Sequence, residues 1–150
     1  MKWEKILIAV ENFEATKRAL KYVGIMLGGQ KEIQITLLHV YPEPPPNFYQ
    51  TGGVLQEYKQ DKEKNARQLL EDARSKLVRN GVTPEQIVFR NCMAEGKTIS
   101  QAILEILREG EYGTVAVGKR GVSRAEEFLF GSISNALVHS SGNFTVWVVG

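Results

Sequence analysis

The chain has 150 residues, 43% of them hydrophobic and 24% charged, with a formal net charge of +2. That length buries the core of one domain without disulfides or a structural metal, and the small charge, with no concentrated basic patch visible in the sequence, argues against a nucleic-acid-binding protein. The single cysteine, Cys92, excludes an internal disulfide and fits a reducing compartment; with no apolar stretch long enough to span a membrane and no signal-peptide core, the expected location is the cytoplasm.

Residues 5–10 form a short apolar run of the kind that marks a strand buried on both faces, and it stops at Glu11-Asn12. Glu11 is therefore expected at a strand's carboxyl end. Ala15, Ala19, Val23 and Met26 recur at helical spacing until Gly28-Gly29 ends the helix. Residues 33–40, rich in β-branched and aliphatic side chains, predict a second strand closed by Tyr41-Pro42. Pro42, Pro44, Pro45, Pro46 and Gly52-Gly53 then predict a mobile loop over residues 42–53, readable either as a lid or as a simple connection. The charged run Asp61-Lys62-Glu63-Lys64 reads as a solvated face ahead of a long second helix, whose apolar stripe is Ala66, Leu69, Leu70, Ala73 and Leu77 and whose end is Asn80-Gly81.

Residues 86–90 predict a third strand, and Ile99, Ala102, Ile103, Ile106 and Leu107 a third helix. Between them, residues 91–98 end in Gly96-Lys97-Thr98, which is how a phosphate-binding P-loop ends. The rest of that motif is missing: its first position is Asn91, the segment has one glycine, and the following strand at 114–117 ends in Gly118 with no aspartate to hold magnesium. A plain turn with Gly96 at positive φ is the expectation. His39 lies in an apolar strand and His139 near a helix end; neither has cysteine or carboxylate at ligand spacing, so both read as structural. No nucleophile elbow or HExxH motif points to hydrolysis.

The stretch from residue 118 to 134 carries the functional signal. It reads Gly118-Lys119-Arg120-Gly121, nine residues, then Gly131-Ser132-Ile133-Ser134, and it follows the apolar strand at 114–117. Ile133, Ala136 and Leu137 take up helical spacing, so Gly131 and Ser132 are expected at a helix N-terminus, where unpaired N–H groups and the macrodipole favour an anion. Glycines let the backbone approach a phosphate, the two serines add hydroxyl donors, and Lys119 and Arg120 add countercharge. The same residues can instead simply turn a tight loop, with Ser132 as an ordinary N-cap.

The spacing Gly-two-Gly-nine-Gly-Ser resembles the ATP-binding signature of the universal stress protein family at Gly118, Gly121, Gly131 and Ser132. The opening Ile6-Leu7-Ile8-Ala9-Val10, Leu37-Leu38-His39-Val40 and the closing Thr145-Val146-Trp147-Val148-Val149 also look like that family, so the resemblance covers nearly the whole chain. The alternation of strands and helices predicts a single α/β domain, a parallel sheet with helices on both faces, and the resemblance implies the strand order 3-2-1-4-5. It also implies that ATP is held as a ligand more than as fuel. Gly121, Gly131, Ser132 and Ser134 would hold the phosphates, Val117 and Gly118 the ribose side and the Val40 backbone the adenine, with Val10, Glu11 and Ile133 completing the site. Glu11 stands where the family usually has aspartate. A magnesium or manganese ion would ride on the phosphates. The last strand, expected at a sheet edge without proline or charge, implies a homodimer in which Trp147 and Val149 bury against their counterparts. Two other readings are a nucleotide-free protein-interaction module and a slow ATPase, although no residue is an evident base.

Overall fold

The computed structural model describes residues 1–11, 14–119, 132–140 and 142–150. Among the described residues, five strands, β1 (Lys2–Ala9), β2 (Gln34–Pro42), β3 (Ile87–Ala94), β4 (Tyr112–Gly118) and β5 (Thr145–Val149), alternate with four α-helices, α1 (Glu14–Leu27), α2 (Leu55–Arg79), α3 (Ile99–Glu109) and α4 (Ser132–Val138). The strands are parallel in the order β3-β2-β1-β4-β5, as expected from the sequence. β1 and β4 are therefore neighbours where the winding direction reverses, the place at which open α/β sheets form a crevice beyond the strand ends.

Side-chain alternation along the strands feeds two apolar layers. Ile6, Ile8, Val10, Ile35, Leu37 and Ala116 pack under α1 and α2, against Leu20, Val23, Ala66, Leu70, Ala73 and Leu77. On the other face Leu7, Ala9, Leu38, Val40, Val115 and Val117 pack under α3 and α4, against Ala102, Ile103, Ile106, Leu107 and Leu137. Burial of both strand faces is why β1 and β4 read as continuous apolar runs.

Several boundaries differ from the sequence expectation. α2 begins at Leu55, so the charged run 61–64 lies inside the helix rather than ahead of it. Nothing in residues 55–65 breaks a helix, and one with few apolar residues continues while its exposed face is solvated. On α1, Met26 is 51% exposed, and the stripe continues from Val23 to Leu27 at the i,i+4 spacing instead. α1 ends where Gly28 passes the α2 terminus so closely that a Cβ would stand 1.8 Å from the Asn80 carbonyl oxygen.

The loop after β2 is braced where a mobile one was expected. Phe48 N–H donates to the Pro45 carbonyl at 2.9 Å and Gly53 N–H to that of Phe48 at 2.9 Å. The Phe48 ring contacts Tyr49 and Tyr58 edge to face, and the Tyr58 hydroxyl donates to the Pro42 carbonyl at 2.6 Å. At the far edge, β5 pairs only with β4. Trp147 packs on the α1 side, its ring 5.7 Å from that of Tyr22 at 81°, while Val146 and Val148 pack on the α3/α4 layer.

Candidate functional site

The carboxyl ends of three neighbouring strands, β2, β1 and β4, bring five of the sequence-selected residues together. Val10 lies just beyond β1, with its N–H donating to Leu38 O at 2.8 Å and its carbonyl 2.9 Å from His39 Nδ1. A carbonyl only accepts, so His39 carries its hydrogen on Nδ1 and ties β1 to β2, the structural role expected of it. Glu11 N–H donates to Oγ1 of buried Thr16 at 3.1 Å, which fixes the backbone as it turns toward α1. β1 and β4 pair Ile8 with Ala116, and two more residues along the same register bring Val10 level with Gly118. Val40 lies at the neighbouring end of β2.

Burial decides how these residues can act. Val10 is 1% exposed, Val117 2% and Val40 8%, and all three side chains belong to the core, so each offers a ligand its backbone only. Gly118 is half-buried at the end of β4, and the next residue, Lys119, donates its N–H to Val149 O at 2.7 Å. On α4, Ser134 is buried and Ile133 packs on the α3/α4 layer, which leaves Ile133 its backbone for any polar contact. Gly121 and Gly131 lie outside the described residues. Ser132 opens α4.

The second strand–glycine–helix corner is engaged by its own groups. β3 runs to Ala94, pairing residues 91–94 with 39–42 of β2, where the sequence had suggested a loop from residue 91. Asn91, Cys92 and Met93 lack β-branched character, and edge pairing overrode that weak local preference. Only residues 95–97 then separate the strand from Thr98, too few for a phosphate cradle. Gly96 takes φ +64°, the positive-φ turn expected. Thr98 caps α3 by accepting from Gln101 N–H, Gln101 Oε1 accepts from Thr98 N–H, and the Lys97 ammonium pairs with Glu105. That carboxylate raises the Lys97 pKa, keeping the lysine charged at any physiological pH. Burial pushes the Cys92 thiol above its usual range, which lowers its thiolate fraction at neutral pH.

The sequence reading missed a groove between α1 and α2. A cavity of about 790 Å³ reaches from Val10, Glu11 and Thr16 along Lys17 and Leu20 to Asp72, Lys76 and Arg79. The expectation that no basic patch exists fails here, because α1 and α2 contribute cations that are far apart in the chain and adjacent in space. Lys17 and Lys21 at i,i+4 on one helix and Lys76 and Arg79 at i,i+3 on another were the available signal. Among the described residues, no group of His, Cys, Asp and Glu could hold a metal ion, and no helix is long and apolar enough to cross a membrane.

Comparison with known proteins agrees over the full length. A family model described as the Universal stress protein family matches residues 2–150. Universal stress protein YxiE from Bacillus subtilis is 25% identical over 140 residues, spanning 89% of this chain and 90% of the relative. Among solved structures, universal stress protein UspA from Lactobacillus plantarum superposes with a TM-score of 0.75 at 14% identity, covering 100% of this chain and 99% of that one. The universal stress protein from Archaeoglobus fulgidus, solved in complex with dAMP, gives 0.66 at 16% identity with 100% of both chains covered.

Proposed function

Because this chain belongs to the universal stress protein family, we propose that it binds ATP as a regulatory ligand at the carboxyl ends of β1 and β4. One observation carries the reading: the Gly-two-Gly-nine-Gly-Ser spacing begins at Gly118, the last residue of β4, at the point where the sheet's winding reverses. The relative solved with dAMP adds support for an adenine nucleotide. Gly121, Gly131, Ser132 and Ser134 hold the phosphates, the backbones of Val117 and Gly118 meet the ribose, and the Val40 backbone meets the adenine. Val10, Glu11 and Ile133 line the remainder, and magnesium or manganese rides on the phosphates. The Glu11 backbone is held by its N–H donating to Thr16 Oγ1.

The protein acts as a cytoplasmic homodimer in this reading, joined along β5, whose residues 145–149 carry neither proline nor charge. Trp147 already contacts Tyr22, so the apolar surface offered beside that edge includes Tyr22, which is 43% exposed. Light scattering at micromolar concentration is expected to give twice the chain mass; a monomer refutes this interface.

Calorimetry with ATP and a parallel assay of phosphate release test the function. Saturable binding without steady release is the expected result. Sustained release would make the protein a slow ATPase, and absence of binding would leave a protein-interaction module of the same fold.

A further inference from the structure

The α1/α2 groove has a chemistry of its own. Among the described residues its outer part, about 400 Å³, is lined by Lys17, Arg18, Lys21, Lys76, Arg79 and Asn80, five cations and no carboxylate. On a chain of net charge +2, that is a strong local concentration. Arg18, Lys21, Lys76 and Arg79 make no ion pair among the described residues. The helix dipole accounts for Lys76 and Arg79, which stand in the last turn of α2. It does not account for the α1 cations. Lys17, Arg18 and Lys21 lie in the first eight residues of α1, toward its positive end, and the last turn of that helix has no basic residue. The helices meet where Gly24 and Gly28 abut Asn80, so one end of the groove is closed while the other opens toward Glu11.

We propose that the outer part of this groove, whose lining shares no residue with the nucleotide site, is a second anion site, which takes a linear phosphate chain. Lysine and arginine converging on a concave space match closely spaced phosphates, whose charge density exceeds that of a carboxylate-bearing ligand. Among the described residues, no aromatic side chain lines the outer groove to stack a base and no apolar side chain lines it to anchor a peptide, which disfavours nucleic acid and acidic peptides. The chain can arrive free or carried on a nucleoside.

Calorimetry with inorganic tripolyphosphate tests the site. Saturable one-to-one binding is expected, screened by added salt, and retained when Gly131→Val removes the nucleotide site. The double reversal Lys21→Glu with Arg79→Glu changes two exposed side chains and should fold, as checked by circular dichroism; it is expected to weaken tripolyphosphate roughly tenfold or more while the ATP affinity of the nucleotide site holds. In Gly131→Val protein, binding of tripolyphosphate alone identifies a free phosphate chain, and equal binding of ATP identifies one carried on a nucleoside. The proposal is overturned by absence of saturable tripolyphosphate binding, by binding that the double reversal leaves intact, or by binding lost with Gly131→Val and competed by ATP. Tighter Arg79-dependent binding of a single-stranded oligonucleotide or an acidic peptide overturns it as well. If ATP fails to bind the unmodified protein while tripolyphosphate binds through Lys21 and Arg79, the nucleotide reading falls and the groove stands.

Discussion

Two corners of this sheet share one order along the chain, a strand, then glycine, then a helix, yet differ in where the topology puts them and in sequence pattern. At the β3–α3 corner the donors and the cation are spent internally: the Thr98–Gln101 capping box satisfies N–H groups at the start of α3, and Lys97 is engaged with Glu105. β3 is also an edge strand, remote from the winding reversal. The β4–α4 corner stands beside β1 at that reversal, with the glycine pattern of the family signature running through it. Position in the topology, more than the motif's spelling, is the ground on which the anion site is proposed at the β4–α4 corner and not at the β3–α3 corner.

The sharpest way to break this contrast is Gly131→Val. A Cβ at that position fills space an anion needs and restricts the backbone, so ATP binding is expected to disappear. Calorimetry on folded protein that also carries the Lys21 and Arg79 reversals keeps the α1/α2 groove from contributing. Unchanged affinity would move the nucleotide away from the β4–α4 corner. Ser132→Ala should be milder, since it removes one hydroxyl and leaves the main-chain donors; one hydrogen bond to a charged group corresponds to about 1.5–3 kcal/mol, read as a weaker dissociation constant in the same titration.

The fold was legible because its signals are local. Apolar runs at 5–10 and 114–117 and the stripes of α2 and α3 each lie within one segment, while the sheet order was legible through the resemblance to the universal stress protein family, crossover rules alone leaving several orders open. The glycine spacing was legible for the same reason. What escaped the sequence was non-local: β3 extends through Asn91, Cys92 and Met93 because β2 is there to pair with them, and the braced loop depends on Tyr58 reaching back from α2 to Pro42. The basic groove was invisible because Lys17, Arg18 and Lys21 meet Lys76 and Arg79 only after α1 and α2 pack.

Thr98→Ala sharpens the comparison from the other corner. The hydroxyl accepts from Gln101 N–H at 3.1 Å, so its loss unpairs a helix N-terminus, with an expected cost of about 1 kcal/mol. A thermal melt should register that as a fall of roughly 2–4 °C. ATP affinity is expected to stay within error, because the corner's groups are committed to α3.

Lys97→Ala should have the smallest effect. In a P-loop the lysine reaches the phosphates, so its removal would weaken nucleotide binding. Here the ammonium already faces the Glu105 carboxylate, the turn before Thr98 spans only residues 95–97, and two strands, β2 and β1, lie between β3 and β4 in the sheet. The ion pair lies at the surface, where solvent screens it and holding two long side chains in one geometry offsets most of the attraction. The variant should therefore match the unmodified protein both in ATP affinity and in melting temperature, within error. A large loss of affinity with the fold intact would mean that the nucleotide's phosphates lie at the β3–α3 corner, and the distinction drawn between the two corners would reverse.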